Sequence, residues 1–203
     1  MSEFSDFIAK HNAYLHENYG NVASALVLQQ SEPANEQALT ELKARASIEI
    51  PPSLLEFYRK DGGVMPGRVA ESRTIKIPSA SNLLAAMNED DQWSRLNSLG
   101  LIDYIKYSWG NDLWEFDEEI STQNVNVLNQ NYHSFGLYRT TDGLESAYYL
   151  YFDKSGNFGT VFYHQDAFDE LMEDYLLNMP DKSPASESLS QLLTRAFAEI
   201  SAE

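Results

Sequence analysis

From Phe4 the chain repeats at intervals of three and four. Phe4, Phe7, Ile8, His11, Tyr14 and Leu15 fall on one side of a helical wheel, and Gly20 closes the pattern. "NVASALVLQQ" from Asn21 is compatible with a second short helix, and "SEPANE", broken by Pro33, reads as a linker or a helix start. Glu36 to Ala46 is made of strong helix formers with Leu39 and Leu42 on one side. The next stretch, "IEIPPSLLEFYRKDGG", is punctuated at both ends. Pro51 and Pro52 suit a first helical turn, where the missing N–H would be unpaired anyway. Leu54, Leu55 and Tyr58 share a face with Phe57 beside it, and Gly62 and Gly63 supply the left-handed backbone that ends a helix. A helix this short is marginal alone in water and must pack on something.

After Gly63 the period changes. "RTIKIP" alternates and predicts a strand closed by Pro78, and "SASNLLAAMNEDD" predicts a helix capped by Ser79 or Ser81. "LIDYIKYSW" from Leu101 is rich in β-branched and aromatic residues and predicts a strand, turned at Gly110 and Asn111, with "LWEFD" as its partner. "EEISTQNVNVLNQNYH" fits irregular structure and a short helix equally well. Three β-prone runs follow, Phe135 to Arg139, Ser146 to Phe152 and Gly159 to Tyr163, separated by the turn dipeptides Asp142-Gly143 and Ser155-Gly156. They predict an antiparallel meander. "DAFDELMEDYLLNM" from Asp166 places Phe168, Leu171, Met172, Tyr175 and Leu176 on one helical face before Pro180. A polar linker, "DKSPASES", leads to a last amphipathic helix carrying Leu189, Leu192, Leu193, Phe197 and Ile200. Helices, then hairpins, then helices describe an α+β fold with helices packed on a mainly antiparallel sheet.

Charge narrows the function classes. The 203 residues carry a formal net charge of -17, so phosphate backbones and anionic lipids are repelled, and direct binding of nucleic acid or membrane is not expected. A basic protein would instead be drawn in. Without cysteine there is no disulfide, thiolate nucleophile or Cys-bound zinc. The first twenty residues lack a basic start and an apolar run, and no segment approaches the ~18 apolar residues of a membrane span. The expectation is a soluble cytoplasmic protein, monomeric or weakly dimeric.

Three features in order carry a resemblance: the helix entered by "IPPSLLEFYRKDGG", the hairpins "FGLYRTTDGLESAYYLYFDKSGNFGTVFYH", and the helix "DAFDELMEDYLLN" directly after them. Together they resemble the SUKH superfamily, in its branch related to fungal cell-wall synthesis regulators. The likeness runs from Leu39 to Met179. It departs where Asp-Gly-Gly stands for the commoner Asn-Gly, and between Trp109 and His133. It implies a SUKH-like α+β domain over 36–179; an N-terminal helical extension over 1–35 and a linker with a C-terminal helix over 180–203 fall outside the likeness. It also implies a non-enzyme without cofactor: an immunity protein that binds and neutralises a cognate polymorphic toxin domain, often one that attacks nucleic acid. The alternative it implies is an intracellular regulatory scaffold of the same fold, unrelated to toxins.

Four acidic clusters are visible. One is Glu89, Asp90 and Asp91; another is Asp166, Asp169, Glu170, Glu173 and Asp174, whose first members sit where carboxylates favour a helix N-terminus regardless of partners. The termini are diffusely acidic. The remaining cluster, Asp112, Glu115, Asp117, Glu118 and Glu119, brackets Trp114 and Phe116 and follows Trp109. Aromatic anchors ringed by charge are typical of binding hot spots, so Trp109, Asp112, Trp114, Glu115, Asp117, Glu118 and Glu119 form the candidate partner-binding set. A core role for Trp109 and Trp114 on two strands is the competing reading. Catalytic and metal signatures are weak. His11 and His16 are off the i, i+4 ligand spacing, and His133 and His164 are isolated. No serine sits in a G-x-S-x-G elbow. "DKSGNFG" has calcium-loop spacing at Asp153, Ser155 and Asn157, but Phe158 stands where that loop needs glycine. Asp117 and Glu119 alternate as glycosidase carboxylates would, with nothing else in support.

Overall fold

The computed structural model describes residues 3–20, 27–67, 73–111, 120–140, 145–164, 176–178 and 187–201. Its elements are, in order, α1 (Glu3–Tyr19), β1 (Gln29–Gln30), α2 (Glu36–Arg45), α3 (Pro52–Lys60), β2 (Val64–Met65), β3 (Thr74–Lys76), α4 (Ala80–Met87), α5 (Leu101–Ser108), α6 (Thr122–Asn131), β4 (Tyr132–Arg139), β5 (Ser146–Asp153), β6 (Phe158–His164) and α7 (Leu189–Ile200). This is an α+β fold with an antiparallel four-stranded sheet in the order β3-β4-β5-β6. A second ribbon, β1-β2, joins it through a bridge between Val64 and Ile77. Among the described residues no helix is long and apolar enough to cross a membrane.

Strand alternation assigns the two faces of the sheet. Register pairs Ile75 with Tyr138 and Tyr138 with Tyr148, and Tyr148 with Phe162. These side chains share one face, where the Tyr138 and Tyr148 rings stack at 4.9 Å and Tyr148 meets Phe162 at the same distance. α7 packs against this sheet. From it Glu199 accepts the Tyr138 hydroxyl proton at 2.6 Å, while Arg195 pairs with Glu187 at 2.7 Å. The opposite face carries Leu137, Tyr149 and Val161 in register. α5 and α6 pack on β4, α2 on α3 and α4, and α1 on α7. The terminal helices contribute Phe4, Ile8, Leu192 and Phe197 to the same apolar cluster as the sheet. Phe4 meets Phe57 of the proline-led α3 edge-on at 4.7 Å, so the helix that cannot stand alone is covered by α1.

Asn35, Ser79, Ser121 and Ser188 cap α2, α4, α6 and α7. Ser79, not Ser81, is the cap of α4. The run from Glu118 resolves as a helix from Thr122 onward. The expected second helix does not reach its C-terminal end: Gln29 and Gln30 form β1, while residues 21–26 lie outside the described residues.

"LIDYIKYSW" is a correction. It is helix α5, not a strand. Its buried residues, Leu101, Ile102, Tyr104 and Ile105, fall on one helical face, a spacing that a strand would divide between two faces. The start of α5 is held by α6: Asn129 Oδ1 accepts from the backbone N–H of Ile102 at 2.8 Å and of Asp103 at 3.3 Å, and its Nδ2 donates to Asp103 at 3.0 Å. Tertiary capping and burial override local β propensity here. Asn129→Ala is expected to destabilise the protein by about 1–2 kcal/mol, read from the midpoint of urea unfolding, because two first-turn donors lose their acceptor. The expected partner strand "LWEFD" and the helix from Asp166 fall on segments 112–119 and 165–175, outside the described residues; of the latter helix only Leu176 to Asn178 is described, with Leu176 buried.

Candidate functional site

Of the seven predicted partner-binding residues, Trp109 alone is described; Asp112, Trp114, Glu115, Asp117, Glu118 and Glu119 lie outside the described residues. Trp109 is the C-cap of α5 and is half-buried. Its indole N–H donates to the Tyr149 hydroxyl at 2.8 Å, and its ring meets Tyr163 edge-on at 5.7 Å. Ser108 also hydrogen-bonds the Tyr149 hydroxyl. Trp109 is thus fixed on the sheet by a polar handle and an aromatic contact.

The turn that follows leads into the acidic cluster and is itself anchored. Gly110 and Asn111 adopt φ of 74° and 57°, the left-handed region that asparagine tolerates better than most residues. The Asn111 side-chain amide faces three backbone carbonyls, those of Gln92 at 2.9 Å, Trp93 at 3.2 Å and Arg95 at 2.9 Å. The loop it grips carries another acidic cluster, with Glu89, Asp90 and Asp91 all exposed. The fold therefore brings the loop of one cluster to the residue immediately before Asp112.

Trp93 sits at the centre of this loop with 53% of its surface exposed. Asp91 folds the loop locally, accepting from the Ser94 hydroxyl at 2.7 Å and the Trp93 N–H at 3.4 Å. Those bonds, the Ser94 hydroxyl first, hold the Asp91 carboxyl below its ordinary range, so it stays ionised. Leu96, fully buried, ties the loop back to α4 through its N–H to the Ala86 carbonyl at 2.9 Å. An exposed indole on a pinned loop, beside ionised carboxylates, needs little ordering to bind a partner that offers an apolar pocket rimmed by Lys or Arg. Trp93 was not among the predicted residues. Its signal in the sequence is a tryptophan directly after "NEDDQ", in a stretch without helix or strand period.

Of the residues weighed for metal or acid–base chemistry, His11, His133 and Asp153 make contacts within the fold, while Asp117 and Glu119 lie outside the described residues. His11 and His133 are each 1% exposed. His11 Nδ1 lies 3.1 Å from the Ser201 hydroxyl, and His133 Nε2 lies 2.8 Å from that of Ser47. Asp153 accepts from the N–H of Ser155 at 2.8 Å and of Asn157 at 2.9 Å, and from the Asn157 amide at 3.0 Å. "DKSGNFG" is therefore the side-chain-braced turn of the β5–β6 hairpin. Among the described residues no group of three or more His, Asp or Glu side chains is placed to hold a metal ion. No protein family, curated protein or solved structure matches the chain.

Proposed function

We propose that the chain is a binding protein that neutralises a cognate basic toxin domain by covering it, as an immunity protein acting in the cytoplasm of the cell that makes it. The observation that carries the reading is Trp93, exposed on a loop pinned by Asn111 and flanked by Glu89, Asp90 and Asp91. The sequence resemblance to SUKH immunity proteins supports it, as does the net charge of -17. A toxin that grips nucleic acid presents Lys and Arg to phosphate, and carboxylates around an aromatic anchor occupy those groups in place of the substrate. Inhibition comes from occlusion, with no bond made or broken.

The test is co-expression with the product of the adjacent gene, asking for rescue of growth and co-purification. Trp93→Ala is expected to weaken the complex about tenfold or more, chiefly through faster dissociation. Charge reversal at Glu115, Asp117 and Glu118 is expected to slow association and to flatten its salt dependence. Full affinity in both variants removes this surface from the account. A partner that is acidic removes the proposed function itself, leaving the regulatory scaffold as the surviving reading.

A further inference from the structure

In a chain with 31 acidic and 14 basic residues, two of the basic ones line a cavity together. The cavity, about 510 Å³, opens at the β3 edge of the sheet; Thr74, Lys76, Leu137 and Arg139 form its floor. Register explains the convergence. Thr74 pairs with Arg139 and Lys76 with Leu137, so all four side chains project from one face of two adjacent strands. Met65, Pro66 and Trp109 supply an apolar wall, with the Ser108 hydroxyl beside Trp109.

Among the described residues the polar groups of the floor lack acceptors. Thr74 is 2% exposed, and its hydroxyl has no hydrogen-bond partner among the described residues; the buried Nε of Arg139 has none either. Neither Lys76 nor Arg139 forms an ion pair among the described residues. The Lys76 ammonium lies 5.8 Å from the centre of the Tyr107 ring, which offsets its charge only in part. Burial, and then repulsion from Arg139, lower the Lys76 pKa; burial likewise lowers that of Arg139. Two neighbouring like charges lining one cavity, with two unmet donors buried beside them, are costly unless an anion joins them.

We infer that this cavity binds a small organic anion, its carboxylate seated between Lys76, Arg139 and Thr74 and its apolar body lying against Met65, Pro66 and Trp109. The volume is in the range of small-molecule sites. A guanidinium can donate two parallel hydrogen bonds to a carboxylate, and Lys76 adds a point charge. The charge of this cavity is opposite in sign to that of the acidic loop around Trp93, although Trp109, which walls it, belongs to the candidate partner-binding set.

The experiment titrates the full chain with phenylacetate, with its neutral isostere phenylacetamide, and with inorganic phosphate, followed by calorimetry and by the indole N–H resonance of Trp109. Phenylacetate is expected to bind saturably at one site, to move the Trp109 resonance and to raise the Tm, while phenylacetamide does none of these. Lys76→Met and Arg139→Met are each expected to weaken binding at least tenfold while melting at or above the parent Tm, since each removes one of two half-buried like charges. Thr74→Val, which keeps the shape, is expected to weaken binding severalfold. No saturable binding of phenylacetate by the parent chain overturns the inference. So does affinity unchanged in Lys76→Met and Thr74→Val, or phosphate binding as tightly as phenylacetate, which would deny the apolar half of the site.

Discussion

Lowering the pH from about 7 to about 4 is expected to remove roughly 3 kcal/mol of stability for each of two buried imidazoles, His11 and His133. Both rings are 1% exposed. His11 on α1 faces the C-cap of α7, near Tyr14, and His133 on β4 meets Phe152 edge-on at 5.5 Å. Burial penalises the imidazolium and brings both pKa values down to about 4, against 6.5 for a free histidine; for His11 the Arg73 backbone offsets part of the penalty. The folded pKa lies below the unfolded one, so between about 6.5 and 4 the unfolded chain binds protons that the folded chain does not. The stability gained from keeping the rings neutral is complete above that window, falls as the pH drops through it, and falls no further below it. Together the two rings account for about 6 kcal/mol, comparable to the whole stability of an ordinary domain. Neutralising exposed carboxylates works in the opposite direction by relieving self-repulsion in a chain of charge -17. Screening with about 0.5 M salt suppresses that term and leaves the buried rings. Urea midpoints at pH 7, 5.5 and 4 measure the effect, and His133→Phe is expected to remove about half of the slope. A midpoint that stays level from pH 7 to 5 in high salt would sink this account.

The fold was legible where local chemistry and tertiary packing agree. The meander declares itself through three β-prone runs and the Ser155-Gly156 turn, and β4 to β6 follow in that order. α7 and α3 declare themselves through apolar spacing and their ends. α5 did not, because its aromatic and β-branched residues favour a strand locally while an acceptor 27 positions away, Asn129, selects the helix. Sites suffer more from this than elements do. Trp109 stood out as an aromatic beside an acidic run, but its contact with Tyr149 depends on strand register, which no local pattern encodes. Trp93 and Asn111 lie 18 positions apart and meet only through the turn after α5. Lys76 and Arg139 come together through the pairing of β3 with β4, so a cationic cavity in an acidic chain leaves no trace in composition.

Gly62→Ala and Gly63→Ala are each expected to destabilise the protein by about 3 kcal/mol or more, far beyond what the same change does at a glycine in an open turn. The sequence reads these two glycines as the stop signal of α3, and a stop signal alone asks only for a left-handed φ, which alanine can adopt at about 1–2 kcal/mol. The structure asks for more. Gly62 has φ 73°, and a Cβ there would lie 2.3 Å from the Glu32 carbonyl oxygen and 2.5 Å from that of Ser31. Gly63 has φ 153°, and its Cβ would lie 2.3 Å from the Ile77 carbonyl oxygen. Those obstacles are backbone atoms held in place: the Ser31 N–H donates to the Gly63 carbonyl at 3.0 Å, and Val64 and Ile77 exchange hydrogen bonds at 2.8 and 2.7 Å. Relieving the overlap means, at Gly62, pushing the segment after β1 away from the end of α3 and, at Gly63, separating the β1–β2 ribbon from the end of β3, beside the cavity that Met65 and Lys76 line. Gly156 provides the control. Its φ is 80°, but nothing lies within 4 Å of its Cβ position, so Gly156→Ala is expected to cost about 1 kcal/mol, the conformational penalty alone. Thermal melts of the three variants read the difference directly, and hydrogen exchange at Val64 and Ile77 should rise in Gly63→Ala and stay at the parent level in Gly156→Ala. If Gly62→Ala and Gly63→Ala melt within about two degrees of Gly156→Ala, the glycines serve the helix end only, and the close approach of the three segments is not what holds this edge of the sheet.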